Sequence, residues 1–518
     1  MADVTICPGN RDFLAKMYGS SWSGLKAFML FILGDNRSSL NASLFRILPE
    51  NARVCQSAIR QHFCWEVTPS AIIAPCTHRG EGLIVSEQYK ALQGFKDILP
   101  DEQVYWRYVE HIAAEVAQLF GYRRIETPIL EETTVFRRTS GEGTDIVDKE
   151  MYSFDDRADK EGNRQNISLR PEGTAGVVRA YLEHGMFKLP QPVKLYYMSL
   201  PMFRRDKPQA GRYREHHQFG CEALGENDPA IDAELIGLLY QIYTRLELTG
   251  IRVSINSIGD RNCRPQYIEA LKEYYQPLLK DCCPDCQVRF TKNPLRLLDC
   301  KEPQDQAKIA AAPRITDHLC EPCREHFADV KRFLDLYQVP YTIDPLIVRG
   351  LDYYTRTVFE FISGINKVAL NGGGRYDGLA ELLGGQPTPG IGFGAGMERI
   401  ILELKSQGII PPPEPTLQAF VVYFGKTPEF KDAAVHITAQ LRQAGIKAEM
   451  TSGDRSRKAQ MKQANASGAA YAVIIGEEEL ANGVVSVKDL YGEGLDAASK
   501  QVLIPRETLV EFLRDKER

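Results

Sequence analysis

The sequence has few cysteines for its length, no long apolar run and little net charge. Twelve cysteines among 518 residues are too dilute for a disulfide scaffold. The longest apolar run, residues 25–34, is too short and too mixed to span a bilayer, which excludes an integral membrane protein. No secretory signal opens the chain, so we expect a cytoplasmic protein in a reducing compartment with no membrane partner.

Length and composition describe a globular protein of several domains. Hydrophobic residues make up 43% of the chain and charged residues 25%, which excludes collagen and a wholly disordered chain. At roughly 150 residues per domain, the length predicts about three domains. The formal net charge of -5 argues against a uniformly basic nucleic-acid wrapper. It does not exclude a nucleic-acid partner, because basic groups concentrated in one cleft are invisible in the sum.

Residues 1–85 lack a sustained helical or strand period and end at the turn signal Gly80-Glu81-Gly82. We expect a poorly ordered extension. A transit peptide is an alternative suggested by the serine and arginine content. The acidic residues of the segment argue against that alternative: Asp3, Asp12, Asp35 and Glu50.

The middle of the chain predicts helices flanking a mostly antiparallel sheet. A helix is expected from Asp101 to Gly121, with apolar residues at helical spacing at 104, 108, 112, 116 and 119. A strand is expected at residues 123–127, where Pro128 stops it. Two further strands around a basic loop, residues 193–204 and 213–224, predict an antiparallel hairpin. Further β structure is expected at 346–362, and the stretch 390–396 is expected to lead into a helix with its apolar residues on one face.

A stiff proline-rich linker, residues 411–415, predicts a domain boundary. Strand and helix patterns alternate after it, which predicts a small α/β domain at residues 416–518. The expected strands are 419–424, 446–450 and 471–475, and the expected helices are 430–443 and 455–465.

Polar side chains alternate along the second hairpin strand, so they share one face of it: Arg212, Arg214, His216, Gln218 and Glu222. One interpretation is a solvated sheet face. The other is a ligand cleft, in which the basic end binds phosphate and the Gln218 and Glu222 end binds a polar or cationic small molecule.

Arginines and glycines supply a second phosphate signal. Arg204, Arg205, Lys207 and Arg212 surround the hairpin loop, and guanidinium groups match phosphate oxygens bidentately. Arg399 follows the glycine-rich stretch 390–396, where backbone could approach a ligand near a helix N-terminus. Close packing is the alternative explanation for these glycines, and no parallel βαβ unit supports a dinucleotide fingerprint.

Several motifs resemble the active-site elements of class II aminoacyl-tRNA synthetases. They are Arg170-Pro171-Glu172-Gly173-Thr174, the stretch 202–222 from Met-Phe-Arg to His-Gln-Phe-Gly-Cys-Glu, and the stretch 390–399. The run 349–357, Arg-Gly-Leu-Asp-Tyr-Tyr-Thr-Arg-Thr, resembles a block typical of the histidyl-tRNA synthetase family. The resemblance covers about residues 86–518.

This resemblance implies an α+β catalytic core of the class II type at residues 86–410, with an inserted subdomain at 264–335 and a C-terminal α/β anticodon-binding domain. The implied reaction is ATP-dependent activation of L-histidine to histidyl-adenylate and its transfer to tRNA(His), releasing AMP and diphosphate. Mg²⁺ is the implied cofactor, and a homodimer is implied by the helix and the strand before Pro128. Family members usually begin about ten residues before position 94. We therefore expect that translation starts further along the chain than Met1, at an alternative start codon in the position of Val85.

The resemblance also assigns roles residue by residue. Arg204 and Arg349 are implied to be catalytic, with both near the α-phosphate, and Arg212 and Arg399 join Arg204 in binding ATP. The residues implied to bind histidine are Glu172, Gly173, Thr174, Arg204, Gln218, Glu222, Arg349, Tyr353 and Tyr354. The residues expected to contact tRNA are Lys207, Gln209, Arg455, Arg457, Lys458 and Lys462. A solvated helix face is the alternative for the last four.

Two CxxC pairs, Cys283 with Cys286 and Cys320 with Cys323, have the spacing of zinc knuckles. We hypothesise one structural Cys₄ zinc site, with Cys282 and Cys300 as spare thiols. The alternative is a set of reduced cysteines without metal.

Two rival functions stay open at this point. A non-catalytic paralogue, such as a synthetase-like regulatory subunit of histidine biosynthesis, normally lacks the C-terminal domain and loses active-site residues. A stand-alone tRNA-binding protein is disfavoured by the phosphate-handling arginines. Histidine-dependent exchange between ATP and pyrophosphate separates both from a ligase.

Overall fold

The computed structural model describes residues 89–140, 149–207, 213–348, 353–412, 417–453, 455–490 and 501–515. The predicted N-terminal extension lies outside these ranges, as does most of the proline-rich linker. Among the described residues, no helix is both long and apolar enough to cross a membrane.

The strands of the core, in chain order, are β1 Arg123–Arg124, β2 Leu130–Glu132, β3 Ser153–Asp155, β4 Asn166–Leu169, β5 Val193–Phe203, β6 Glu215–Leu224, β7 Arg252–Ser257, β8 Tyr341–Ile343, β9 Thr355–Ile362, β10 Asn371–Arg375 and β11 Gly390–Gly396. The α-helices are α1 Pro100–Leu119, α2 Thr133–Ser140, α3 Thr174–Glu183, α4 Pro229–Arg245, α5 Arg264–Tyr275, α6 Pro284–Lys292, α7 Pro303–Ala311, α8 Glu321–Leu336, α9 Leu379–Leu382 and α10 Met397–Ser406. Short 3₁₀ turns follow α3, α5, α6 and α7, at Met186–Lys188, Gln276–Asp281, Pro294–Asp299 and Ile315–His318.

An eight-stranded sheet in the order β1-β5-β6-β11-β10-β9-β7-β8 forms the centre of the core. Its pairs are antiparallel except β1 with β5 and β7 with β8. The prediction of a mostly antiparallel sheet is therefore confirmed. A smaller antiparallel sheet has the order β2-β4-β3, and its strands come between β1 and β5 along the chain.

The predicted first helix is confirmed as α1. Pro100 occupies its first turn, where a missing N–H costs nothing, and Asp101 and Glu102 place negative charge at the helix N-terminus. Two of the expected apolar positions, Ile112 and Val116, are buried, whereas Leu119 is 65% exposed. Trp106 and Val109 are buried in addition, so the buried face is partly shifted from the expected one.

The predicted hairpin is confirmed by β5 and β6, which pair from Val193 opposite Leu224 to Phe203 opposite Glu215. Two other strand predictions are wrong in extent. The strand expected at 123–127 keeps only Arg123–Arg124, since Pro128 follows closely. The strand expected at 346–362 begins at Thr355, because the Asp344 carboxylate accepts the N–H of Leu346 and closes a turn instead.

The two faces of the large sheet are buried by different layers. Helices α1, α4, α8 and α10 cover one face with an apolar core, represented by Val109, Leu238, Val330 and Leu404. The other face packs against α3 and α9 and is rich in tyrosine hydroxyls, from Tyr197, Tyr353, Tyr354 and Tyr376. That second face carries the candidate site.

The segment from α5 to the start of α8 forms a helical layer with its own core, which includes Tyr267, Leu271 and Leu297 together with buried cysteines. The later part of α8 leaves this layer, because Phe327, Val330 and Leu334 pack in the main core. The limits proposed for the insertion stay a prediction.

The C-terminal domain is α/β, as predicted. Its strands are β12 Ala419–Tyr423, β13 Ala448–Met450, β14 Tyr471–Ile475, β15 Val484–Asp489 and β16 Gln501–Pro505, and its α-helices are α11 Pro428–Gln443, α12 Arg457–Ala466, α13 Glu477–Asn482 and α14 Leu509–Asp515. The sheet order is β13-β12-β14-β15-β16, with the first three strands parallel and the last two antiparallel additions. The 3₁₀ turn Arg506–Thr508 precedes α14.

Candidate active site

Two glycines of β11 leave room for the polar side chains of β6. A Cβ atom at Gly392 would lie 1.6 Å from Oε2 of Glu222, and one at Gly394 would lie 2.9 Å from Oε1 of Gln218. Glu222 and Gln218 therefore reach across the neighbouring strand on one shared face, as the alternation along β6 predicts. These glycines allow close packing between strands. We call the polar face for which they leave room, which carries Gln218 and Glu222, the pocket.

Glu222 is fully buried at the centre of this face. The Thr174 hydroxyl donates to its Oε1 at 2.8 Å, and the Tyr376 hydroxyl donates to Oε2. Burial raises the pKa of Glu222 to about 8, against the two hydrogen bonds, which lower it. The carboxyl is thus held at the boundary between neutral and charged near physiological pH.

Buried tyrosines surround Glu222. The ring of Tyr197 fills the space in front of Gly173 and Gly220, where a Cβ atom would lie 2.7 Å or less from its hydroxyl. The rings of Tyr353 and Tyr354 lie 4.7 Å apart, and Tyr353 meets Tyr376 edge-on at 5.8 Å. Burial, with the nearby carboxylates, holds the pKa of Tyr197, Tyr353 and Tyr376 well above 10, so these hydroxyls stay neutral.

Glu172 lies at the N-terminus of α3. Its carboxylate accepts the N–H groups of Thr174 at 2.7 Å and Ala175 at 2.9 Å. Burial raises the pKa of Glu172, while these bonds and the nearby Arg204 lower it. The preceding Arg170 donates to the carbonyl oxygens of Pro201 and Thr127, each at 2.8 Å, so it holds the motif against β5 and the Pro128 segment.

The charges of two predicted phosphate-binding arginines act on His216. Burial is the largest cause that lowers the pKa of His216 to about 3, and the charges of Arg204 and Arg399 follow. Nε of Arg204 donates to the carbonyl oxygen of Pro171 at 2.9 Å, and Arg399 donates to that of Ala369. The next residue, His217, bonds Glu398 through both its backbone N–H and its ring.

The remaining predicted residues fall into three groups. Arg212, Gln209 and Arg349 lie outside the described residues. Lys207 is exposed at the end of the described part of the hairpin loop. The four basic residues of the C-terminal domain are exposed around the start of α12: Arg455, Arg457, Lys458 and Lys462. Ser456 caps that helix, so Arg455 precedes it rather than belonging to it.

Sequence reasoning missed Tyr376 and Tyr197. Tyr376 follows β10, whose Gly372-Gly373-Gly374 run resembles the glycine-rich β11 and could have directed attention to it. Arg375, one residue earlier, forms a fully buried ion pair with Asp232 of α4 and so fixes the end of β10. Tyr197 lies at an ordinary apolar position of β5, and no sequence signal distinguishes it.

The prediction of one four-cysteine site is wrong. The two CxxC pairs begin different helices, α6 and α8, and each finds other partners. Cys283 and Cys286 meet Cys300 and Asp305, which we name the Cys283 cluster. Cys320 and Cys323 meet Asp260 and Cys263, which we name the Cys263 cluster. Cys300 is therefore not a spare thiol, whereas Cys282 belongs to neither group.

The pocket can therefore bind two kinds of group side by side. One end offers a buried carboxyl flanked by neutral hydroxyl groups, which suits a small molecule with nitrogen donors and acceptors. The other end offers two guanidinium groups, which suit phosphate or carboxylate oxygens. A site of this kind can hold a polar small molecule and a phosphate compound next to each other, as a reaction between the two requires.

Comparison with known proteins gives a consistent family. The sequence profile described as histidyl-tRNA synthetase matches residues 94–400, and the anticodon binding domain profile matches residues 418–516. A histidine--tRNA ligase of Dehalococcoides mccartyi is 48% identical over 82% of this chain and 98% of its own length. One from Moorella thermoacetica is also 48% identical, over 82% of this chain and 97% of its own.

Solved structures agree with these sequences. The apo S. aureus histidyl-tRNA synthetase aligns with a TM-score of 0.68 at 39% identity, covering 82% of this chain and 100% of that one. A Bacillus halodurans protein titled ATP phosphoribosyltransferase regulatory subunit/histidyl-tRNA synthetase aligns with a TM-score of 0.54 at 20% identity, over 75% of this chain and 99% of that one. The latter likeness shows the fold alone.

Proposed function

The chain belongs to the histidyl-tRNA synthetase family, and we propose that the pocket beside β6 is where it activates L-histidine with ATP. The chain is a histidine--tRNA ligase, which forms histidyl-adenylate and diphosphate and then transfers the histidyl group to tRNA(His), releasing AMP. We further propose a role for each residue of the pocket. The observation that carries it is the buried Glu222, hydrogen-bonded by Thr174 and Tyr376.

The carboxyl end of the pocket would bind the amino acid. Glu222 accepts the imidazole N–H, and the hydroxyl of Tyr354 faces the other ring nitrogen. An amino acid without both ring nitrogens would leave these buried groups unpaired, which disfavours it strongly. Glu172 and Gln218 hold the α-amino and carboxylate groups, with Thr174 and Gly173 at the start of α3 lining the floor and Tyr353 closing the side.

The arginine end would bind ATP. The histidine carboxylate attacks the α-phosphorus while pyrophosphate leaves, so two anions must be held together and the developing charge stabilised. Arg204 serves the α-phosphate and the amino-acid carboxylate, and Arg399 serves the γ-phosphate. Arg349 and Arg212, assigned from their motifs, complete the set. The reaction needs no nucleophile from the protein.

Mg²⁺ accompanies ATP in this class of enzyme. A hard oxygen ligand suits it, and the carboxylate of Glu398 lies next to Arg399 in the sequence. Both oxygens of Glu398 accept the His217 N–H at 3.0 Å, and the His217 ring bonds Oε1 as well, which orients the carboxylate and leaves a lone pair on Oε2 for a cation. Bound Mg²⁺ would supply additional charge neutralisation at the phosphates.

The C-terminal domain would bind the anticodon region of tRNA(His). Arg455, Arg457 and Lys458 are exposed at the N-terminal end of α12, where the helix dipole adds partial positive charge. Three exposed basic side chains gathered at that end make a positively charged surface, which supports a contact with RNA phosphate. Lys462 extends the basic surface along α12, and Lys207 with Gln209 would contact the acceptor end.

A homodimer in the cytoplasm completes the proposal. Helix α1 and the segment around Pro128 supply the dimer-forming motif of the class. Ile129 is 45% exposed and Leu130 is 43% exposed beside that proline, which supports burial against a second copy. Light scattering coupled to gel filtration should give twice the chain mass.

Histidine-dependent exchange between ATP and pyrophosphate tests the central claim. The purified chain should catalyse exchange with histidine and not with other amino acids. Arg399→Ala should lose about 100-fold or more in exchange while retaining most histidine binding, because its partner is the nucleotide. Arg332→Ala, at an exposed arginine of α8 paired with Asp329, is the control. A folded chain without exchange would instead support the regulatory-subunit alternative.

A further inference from the structure

The Cys283 cluster has the dimensions of a site for a single metal ion. Its three thiols and one carboxylate are buried, and their ligand atoms all lie within 4.8 Å of one another. The Sγ atoms of Cys283 and Cys300 are 3.7 Å apart. Two ligands of a tetrahedral zinc ion with bonds of about 2.3 Å are separated by about 3.8 Å, whereas a disulfide bond would require about 2.05 Å.

Backbone hydrogen bonds in this cluster suit thiolates. The N–H of Cys286 points to Sγ of Cys283 at 3.4 Å, and the N–H of Glu302 points to Sγ of Cys300 at 3.4 Å. Asp305 is oriented by the N–H of Cys283 at 3.2 Å and by Lys308 at 3.1 Å. Such outer contacts are typical of ligands held ready for a metal.

All four groups of the Cys283 cluster are buried. Three thiolates and one carboxylate gathered in the interior need a cation to compensate their charge, and a bound metal ion would supply it.

The Cys263 cluster repeats the arrangement with a different order of ligands. Asp260, Cys263, Cys320 and Cys323 also have all four ligand atoms within 4.8 Å of one another. The carboxylate oxygen Oδ1 of Asp260 lies 3.6 Å from Sγ of Cys263 and 3.8 Å from Sγ of Cys320. The N–H of Asp260 points to Sγ of Cys263 at 3.4 Å, again the bond expected for a thiolate.

We propose that each cluster binds one Zn²⁺ through three thiolates and one aspartate, so that the chain carries two structural zinc ions. Three soft sulfur ligands select zinc over Mg²⁺ or Ca²⁺, and four protein ligands leave no open position for catalysis. Ligand atoms this close together enclose one ion rather than an iron–sulfur cluster. The two sites lie in the helical layer from α5 to α8, where they join segments distant in sequence.

Elemental analysis of the full-length protein, purified without chelator, tests this proposal. We expect two zinc ions per chain, both released when an organic mercurial titrates the thiols of the wild-type protein. Because this measurement needs no variant, it does not depend on whether a variant folds. Less than 0.2 zinc per chain after refolding with added zinc, or iron in its place, would overturn the proposal.

Single substitutions then separate the two sites. Cys300→Ser and Cys323→Ser should each lower the zinc content from two ions per chain to one, because they affect different clusters. Cys282→Ser should leave it at two, since that buried thiol donates to the Leu278 carbonyl oxygen instead. If Cys300→Ser and Cys323→Ser each removed all the zinc, a single shared site would be indicated and the proposal would fail.

A pair of variants at Asp305 tests whether an aspartate is a zinc ligand, which distinguishes this ligand set from a four-cysteine site. Asp305→Ala should lower the zinc content from two ions to one, while Asp305→Cys should keep two. Two zinc ions retained by Asp305→Ala, with unchanged resistance to a competing chelator, would contradict the role given to the carboxylate.

Discussion

The catalytic sheet and the C-terminal sheet bury very different side chains. The face of the catalytic sheet that forms the pocket holds Glu222 and Glu172 among tyrosine hydroxyls. The C-terminal sheet buries every residue of β12, from Ala419 to Tyr423, and displays its basic groups outside, around α12. Burying ionisable groups costs free energy, so a sheet with buried carboxyl groups indicates a ligand-binding site. A sheet with an apolar interior and exposed basic groups suits a stable support for a partner that binds at the surface.

Glu222→Gln should produce the largest effect, because an amide cannot ionise when histidine binds and so cannot become the charged acceptor for the imidazole N–H. We expect kcat/KM for histidine in pyrophosphate exchange to fall about 100-fold, or roughly 3 kcal/mol. The KM for ATP should change little, since the nucleotide lies at the arginine end.

Glu403→Gln is the matched control for that variant. Glu403 is also fully buried, but it bonds Ser363 and Asn366 on the opposite side of the sheet. Its loss should affect stability and spare histidine recognition. An equal loss of kcat/KM in both variants would mean that the effect of Glu222 is general destabilisation.

The stability of the ligand-free protein should depend on pH through Glu222. Folding raises the pKa of Glu222 from 4.5 to about 8, so its neutral form is favoured in the ligand-free protein. The stabilisation is full below about pH 4.5 and is lost as pH rises toward about 8. The ligand-free Glu222→Gln variant should therefore gain stability relative to wild type by about 3 to 4 kcal/mol between about pH 5 and about pH 8. The test is urea unfolding of both proteins across this pH range. A difference in unfolding free energy that stays constant with pH would refute the prediction.

Neutralising the basic surface of α12 should have a smaller effect confined to tRNA. We expect Lys458→Gln to raise the KM for tRNA in aminoacylation about fivefold and to reduce its salt dependence, because one phosphate contact is lost. Pyrophosphate exchange should not change. Lys431→Gln, at an exposed lysine of α11, serves as the control. An equal effect of the two variants would indicate a general charge effect rather than a binding surface.

The smallest expected effect is at the cap of α12. The Ser456 hydroxyl oxygen accepts the N–H of Ala459 at 3.4 Å, and Ser456→Ala should destabilise the helix by about 1 kcal/mol. Hydrogen exchange of the first α12 amides should become about fivefold faster, and Ser456→Asp, which keeps a cap, should restore it. Unchanged exchange in Ser456→Ala would show that the cap contributes nothing.

Periodicity predicted the regular elements well where one rule dominated. The β5 and β6 hairpin and the alternation after residue 416 follow from strand and helix patterns, and β14 has the predicted limits of Tyr471–Ile475. Residues 346–348, predicted as strand, lie outside β9, because the Asp344 carboxylate accepts the Leu346 N–H and closes a turn where the strand was expected to begin. Local hydrogen bonding of an aspartate is a common reason for such an error.

The pocket was predictable only where a motif or an alternating pattern marked it. Gln218 and Glu222 could be assigned to one face from spacing alone. The glycine run of β10 marks the neighbourhood of Tyr376, but its role depends on the β10 and β11 register that brings its hydroxyl to Glu222. The cysteines show the same limit: spacing identified the pairs, but only the fold determines that Asp260 and Asp305 complete two separate groups.

The contact between Gly392 and Glu222 also restricts how amino-acid specificity can evolve. Any side chain at 392 would occupy the space of the Glu222 carboxylate, so a larger residue there requires a shorter one at 222. A shorter residue at 222, arriving first, removes the group that faces the substrate. Each single step therefore passes through an impaired enzyme, and a change of substrate requires both substitutions together. Because residues 222 and 392 cannot both be large, the packing of these two strands keeps the enzyme selective for one amino acid during evolution.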